Sequence, residues 1–171
     1  VVVVVPITVT MMEDRPPEIS IREWRRVMRK SNREMGERWV KKYMPKHWVK
    51  SAHSKYHNQE RRADYRRKKR KLGYTVKRAG VRKHGEVDNV FQGDSEKAIK
   101  RYHTVRGFPR RATIRFIAPN YFMMKPFKSN QPAKGMEIMK VNLDEARELA
   151  EWLAQVATRR FNQVRRPRKT L

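Results

Sequence analysis

Apolar residues along this chain change their spacing from segment to segment. Val1 to Met12 is rich in β-branched residues, and in Ile7-Thr8-Val9-Thr10-Met11 apolar and hydroxyl side chains alternate. That pattern predicts a strand with one buried face. Pro16 and Pro17 interrupt it, and Ser20 is a candidate cap for the element that follows. From about Arg22 to Met44, Trp24, Met28, Met35 and Trp39 recur near the helical period, with Val27 and Tyr43 alongside. Arg, Lys and Glu fill the opposite face, so this segment reads as a long amphipathic helix. Gly36 weakens its middle by about 1 kcal/mol. Pro45 ends it, because the residue before a proline is pushed out of helical backbone.

Over residues 45–85 the apolar residues thin out and basic ones dominate. Between Arg61 and Lys71, eight of eleven residues are Arg or Lys. They are Arg61, Arg62, Arg66, Arg67, Lys68, Lys69, Arg70 and Lys71, with Tyr56, Tyr65 and Tyr74 interleaved along the segment. The stretch reads as an extended polar arm, with room for one short helix around 59–71. It is expected to touch neighbours more than its own core. Its few apolar side chains cannot offset an ordering cost of about 1–2 kcal/mol per residue.

Sheet-like spacing returns at 86–119. Ala98 to Val105 is a candidate strand, Gly107 and Pro109 signal a turn, and Ala112 to Ile117 is the best strand pattern in the chain, with Ile114 and Phe116 on one face. Together they predict a hairpin. Residues 119–135 read as a long loop punctuated by Pro119, Pro126, Pro132 and Gly135, unusually apolar through Tyr121, Phe122, Met123, Met124 and Phe127. Met136–Val141 alternates as a further strand. Asn142 then opens a last helix with a capping-box spacing and early carboxylates. Its apolar stripe is Ala146, Leu149, Leu153, Val156, Ala157 and Phe161. A basic tail closes the chain at 165–171. The expected fold is therefore α+β, one domain over 1–171. A small antiparallel sheet is packed by the long N-terminal helix and the C-terminal helix, with 45–85 as a basic arm.

Charge narrows the choice of partner. Lys and Arg total 43 against 17 Asp and Glu, a formal net charge of +26. Such self-repulsion favours polyanions or acidic protein faces. A membrane fits less well, because the basic run adjoins no apolar helical face and no window is long enough to span a bilayer. Val1–Val5 is too short for the apolar core of a secretory signal. Cysteine is absent, which excludes disulfides, iron–sulfur clusters and cysteine-based zinc sites.

Catalytic chemistry finds no constellation. Asp88 and Asp94 are neighbours in sequence without a pocket to work in. Gly107 stands apart from any glycine-rich phosphate loop, and no nucleophile elbow occurs. His53 and His57 share helical spacing near His47, but Lys and Arg crowd them and no carboxylate stands at ligand spacing. No enzyme activity, cofactor or metal is expected. The run 61–71 is the candidate contact with a polyanion or an acidic partner; the plain alternative is a solvated arm. Trp24, Met28 and Trp39 belong to the core stripe. Trp48 and Trp152 fall off the stripes and, with Tyr121, Phe122, Met123, Met124 and Phe127, are expected at a subunit interface.

Trp39, then Tyr43-Met44-Pro45-Lys46-His47-Trp48, then Lys55-Tyr56 and Tyr65-Arg66-Arg67-Lys68-Lys69 form an ordered series. A helix ends at Pro-x-His-aromatic and leads into a Tyr- and Arg-rich segment. Over residues 39–163 this resembles the tail-completion and head–tail neck proteins of tailed bacteriophages. Val90-Phe91-Gln92-Gly93-Asp94 occupies the place of a family segment resembling Leu-Val-x-Ser-Gly, with Gln where the family has a small residue. Tyr121 to Pro126 followed by Met136 to Val141 resembles the family's loop and return strand. The resemblance implies a virion protein, assembled in the host cytoplasm, that forms a homo-oligomeric ring. It would meet neighbouring neck, portal or tail proteins, with DNA as a further candidate partner. No catalytic residues come with it. An RNA-binding ribosomal protein, organellar or not, is the rival expectation, since extreme basicity suits it equally well.

Overall fold

The computed structural model describes residues 2–8, 19–49, 51–57, 63–64, 67, 75–78, 81–84, 99–117 and 134–165. It is α+β, with antiparallel strand pairing packed against long helices at the N- and C-terminal regions. The chain divides into two compact units. One holds Val4–Val40, Thr104–Arg115 and Leu143–Leu171; the other holds Val1–Val3, Lys41–His103 and Phe116–Asn142.

Strand β1 covers Val2–Thr8, within the predicted strand. Helix α1 covers Ile21–Lys42. Ser20 caps it: its hydroxyl accepts from the Glu23 amide at 3.2 Å and donates to the Glu23 carboxylate at 2.8 Å. This satisfies a backbone donor that the first helical turn leaves open. Val27, Met28, Met35 and Trp39 are buried, as the period predicts. A 3₁₀ helix, Met44–Trp48, follows with Pro45 in its first turn, where a missing N–H costs nothing.

Strands β4 (His103–Gly107) and β5 (Arg111–Ile117) form the predicted hairpin. The Phe108 amide donates to the Arg111 carbonyl at 2.7 Å, and the Ile117 amide to the Tyr102 carbonyl at 3.1 Å. Those pairs set one antiparallel register, with Pro109 and Arg110 at the turn. The sheet order is β1-β5-β4. Two expectations shift here. Ile99–Arg101 is helical, so the first hairpin strand starts at His103 rather than Ala98. Met136–Val141 is no strand; Lys134–Ile138 is a short helix, α3, with the Met139 amide donating to the Gly135 carbonyl at 3.1 Å. Six alternating residues cannot separate a strand from one helical turn.

The last helix, α4, covers Leu143–Arg165. Leu149, Leu153, Ala157 and Phe161 are buried along one i,i+4 row. That row continues back to Glu145, which is 2% exposed, so Ala146 faces solvent, contrary to the sequence stripe. Ile19, Val27, Met28, Ala157 and Phe161 make one core cluster, with Trp24 and Val164 packed against it. Glu34 pairs with Arg160, and Arg38 pairs with Glu148. Contacts move back along α4 as they move forward along α1, so the two helices run antiparallel.

Gly36, which costs α1 some propensity, explains itself in the packing. A β-carbon there would lie 2.6 Å from Val105 Cγ1 and 3.2 Å from Ala112 Cβ. The missing side chain lets the hairpin lie close on the helix. Gly107 sits tighter still. Its β-carbon would collide with the Arg29 carbonyl and come within 2.7 Å of the Arg33 nitrogen, two atoms of one α1 turn. Gly107→Ala is expected to destabilise by about 1–3 kcal/mol, the usual cost of overpacking. Gly36→Ala should cost less, since Val105 can give and the helix gains about 1 kcal/mol of propensity. Thermal melts of both variants check the order; the reverse order would mean that the turn does not rest on α1.

The 45–85 segment is not one extended arm. The residues from Met44 to Tyr56 are compact, with helix α2 at Ala52–Lys55. Strands β2 (Thr75–Arg78) and β3 (Val81–His84) pair antiparallel, Thr75 opposite His84 and Arg78 opposite Val81. Sequence reasoning counted apolar residues over the whole stretch and so diluted a short, aromatic-rich piece at its start.

Candidate functional site

In the unit that holds residues 41–103, a buried aromatic cluster is built on the turn after α1. Tyr43, Met44, Trp48, Ala52 and Tyr56 are each 4% exposed or less, and His47 is fully buried. The His47 ring stacks on Tyr56 at 3.8 Å between centroids and meets Trp48 edge-on at 6.4 Å. Lys46 lies 4.7 Å from the centroid of the Tyr43 ring. The segment after α3 clasps this piece. Lys140 donates to the carbonyls of Tyr56 and His57, and the Asn142 amide donates to the Lys55 carbonyl at 2.9 Å. His57 ends α2 with a left-handed φ of 49°, a conformation held by those contacts.

The electrostatics of this cluster follow from burial. The His47 imidazole is pushed down to about 3, first by desolvation and then by the Lys55 and Lys140 charges. It is neutral at physiological pH. Fully buried and stacked, it is a packing element with no reach to a solvent-borne substrate. Trp48, expected at a subunit interface, is 1% exposed within its own chain. An i+1 neighbour of a stacked histidine in a tight 3₁₀ turn is directed inward, which stripe analysis of α1 alone could not register.

Of the basic run, Arg67 is exposed and helical, as are Ala63 and Asp64 between its members. Arg61, Arg62, Arg66, Lys68, Lys69, Arg70 and Lys71 lie outside the described residues, and so do Tyr121, Phe122, Met123, Met124 and Phe127. Trp152 is half-buried, with the Arg38 guanidinium 5.3 Å from its ring centroid. Among the described residues no three His, Cys, Asp or Glu side chains converge to hold a metal ion. No helix among them is long and apolar enough to cross a membrane.

The unit with α1, the β4–β5 turn and α4 carries a second basic surface that sequence reasoning missed. Arg22, Arg25, Arg26, Arg29 and Arg33 recur at i, i+3, i+4, i+7 and i+11 on α1, and all are exposed. The hairpin turn docks beside them. Asn32 Nδ2 donates to the carbonyls of Phe108 at 2.8 Å and Pro109 at 3.1 Å, which brings Arg106, Arg110 and Arg111 to the same side. Arg111 lies over the Phe108 ring at 5.3 Å. Charge is segregated across the helix. Glu23, Glu34 and Glu37 border a larger groove, about 950 Å³, that also includes Arg160, Gln163 and Val164 of α4. The helical spacing of the arginines was legible in the sequence; the hairpin's contribution was not.

No family model, curated protein or solved structure matches this chain.

Proposed function

We propose that this chain is a structural subunit of a tailed bacteriophage virion, one that forms a ring at the head–tail junction and joins neighbouring neck, portal or tail proteins. The observation that carries this reading is the state of the Trp39–Tyr56 segment, on which the resemblance rests. Its aromatic rings and its histidine are closed on one another, so the motif is architectural. It ends a long helix and launches the basic stretch that follows. A ring supplies partners by heterologous contact, each subunit's loop meeting a different face of the next. The Tyr121–Phe127 loop would make that contact, and the run 61–71 would meet acidic neighbours or DNA passing the junction.

Two measurements test this. The mass of the purified full chain in solution should correspond to several copies in a closed ring. Particles in which Arg66, Arg67, Lys68, Lys69, Arg70 and Lys71 are all replaced by Ser should show heads and tails that fail to join, more so at high salt, where residual charge contacts are screened. Normal infectious particles from that variant would remove the role given to the run. A single copy bound to ribosomal RNA would overturn the phage reading in favour of its ribosomal rival.

A further inference from the structure

We infer that the α1 and β4–β5 face is a second, sequence-independent binding site for the phosphodiester backbone of duplex nucleic acid, separate from the run 61–71. It does not depend on the head–tail reading, because it stands on the geometry of one unit alone.

A shallow groove of about 430 Å³ runs between α1 and the hairpin, lined by Arg29, Lys30, Arg33, Arg106 and Phe108 over a floor of Val105 and Gly107. No carboxylate lines it. The nearest acid in the α1 sequence is Glu37, which holds one nitrogen of Arg33 at 2.9 Å while both side chains stay well exposed. Guanidinium groups present planar pairs of donors that match phosphate oxygens, and arginine outnumbers lysine here.

Spacing selects the partner. From Arg22 to Arg33 the helix rises about 16 Å at 1.5 Å per residue. One strand of a duplex carries a phosphate about every 3.4 Å of axis, so the same length spans about five charges. The stripe offers five arginines. An acidic protein surface has no such regular charge repeat. Nothing in the groove is shaped to read base edges, so the contact positions a duplex without selecting its sequence.

The site is also built rather than incidental. Asn32 fixes the turn through two carbonyls, and Gly107 allows the turn to reach the helix backbone. Arg106 is thereby held beside Arg29 and Arg33, where an untethered hairpin would let it drift.

The test is binding of the full chain to fluorescent duplex DNA and, in a parallel arm, duplex RNA of equal length, followed by anisotropy across a salt series. Two triple variants are compared. The face variant is Arg29→Gln, Arg33→Gln and Arg106→Gln; the control is Lys41→Gln, Arg147→Gln and Arg159→Gln. Both remove three exposed charges. Unchanged thermal melts establish that both are folded. The face variant should lose tenfold or more in affinity for both duplexes near 0.1 M salt. Its log–log salt slope should drop by about 2–3, at about 0.9 for each phosphate no longer neutralised. The control should change little. Equal losses in the two variants would overturn the site and leave only diffuse charge. Unchanged duplex binding in the face variant, with loss of binding to poly-glutamate, would overturn it in favour of an acidic protein partner. Replacing the 61–71 run should weaken binding by its own factor, multiplying that of the face variant; if that replacement alone abolishes all binding, the second site does not exist.

Discussion

Trp48→Ala is expected to destabilise the isolated chain by about 3–5 kcal/mol, the range for removing a large buried aromatic side chain. Against a typical total of about 5–15 kcal/mol, that is a third or more of the stability. The ring is 1% exposed and sits edge-on to His47, so truncation opens a cavity beside a stacked pair that cannot collapse without moving Tyr56. Urea denaturation of the purified chain measures it. The competing expectation, a subunit contact, predicts a different partition. An exposed tryptophan would leave chain stability within about 0.5 kcal/mol, and the loss would fall on assembly. Wild-type stability in the variant would return Trp48 to the interface.

Acid should unfold the protein through His47. In the unfolded chain this histidine titrates near its ordinary 6.5, while in the folded chain it is held to about 3. Between those values the unfolded state binds one more proton, so stability falls as pH falls. The slope is about 1.4 kcal/mol per pH unit, and the loss reaches about 4–5 kcal/mol by pH 3. Above 6.5 both states are neutral and the contribution is constant. His47→Phe keeps a ring to stack on Tyr56 and removes the titration. The difference between the wild-type and His47→Phe stability curves should therefore slope only between pH 6.5 and 3. Parallel curves across that window would mean that the imidazole is solvated or charged in the fold. Carboxylates lose their own contributions in acid, but both chains share them, and the difference cancels them.

The extent to which this fold is legible without coordinates follows from the range over which each determinant acts. Local determinants sufficed where a pattern was long. The period of Val27, Met28, Met35 and Trp39 defines α1. Ser20 with Glu23 defines its start, and Leu149, Leu153, Ala157 and Phe161 define α4. An amphipathic face over many turns averages out single exceptions. Short segments gave way to their surroundings. Lys134–Ile138 is helical although its continuation alternates like a strand, and Ile99–Arg101 turns before β4 begins.

The candidate site divides along the same line. That the chain is strongly basic, cysteine-free and rich in arginine on one face of its first long helix is written in the sequence, because charge and helical spacing need no partner to be read. Three things only the tertiary structure decided. Trp48 and Tyr56 are core, because a 3₁₀ turn folds them onto His47 and the Lys140–Asn142 segment holds them there from 84 to 87 residues away. Gly36 and Gly107 are sites of close approach, because what matters is the backbone and side chains that come to lie opposite them. Arg106 joins Arg29 and Arg33, because Asn32 ties down a turn 76 residues further along the chain. Each is a contact between distant parts of the chain, where packing and hydrogen-bond geometry outweigh local preference and leave no periodic trace in the sequence.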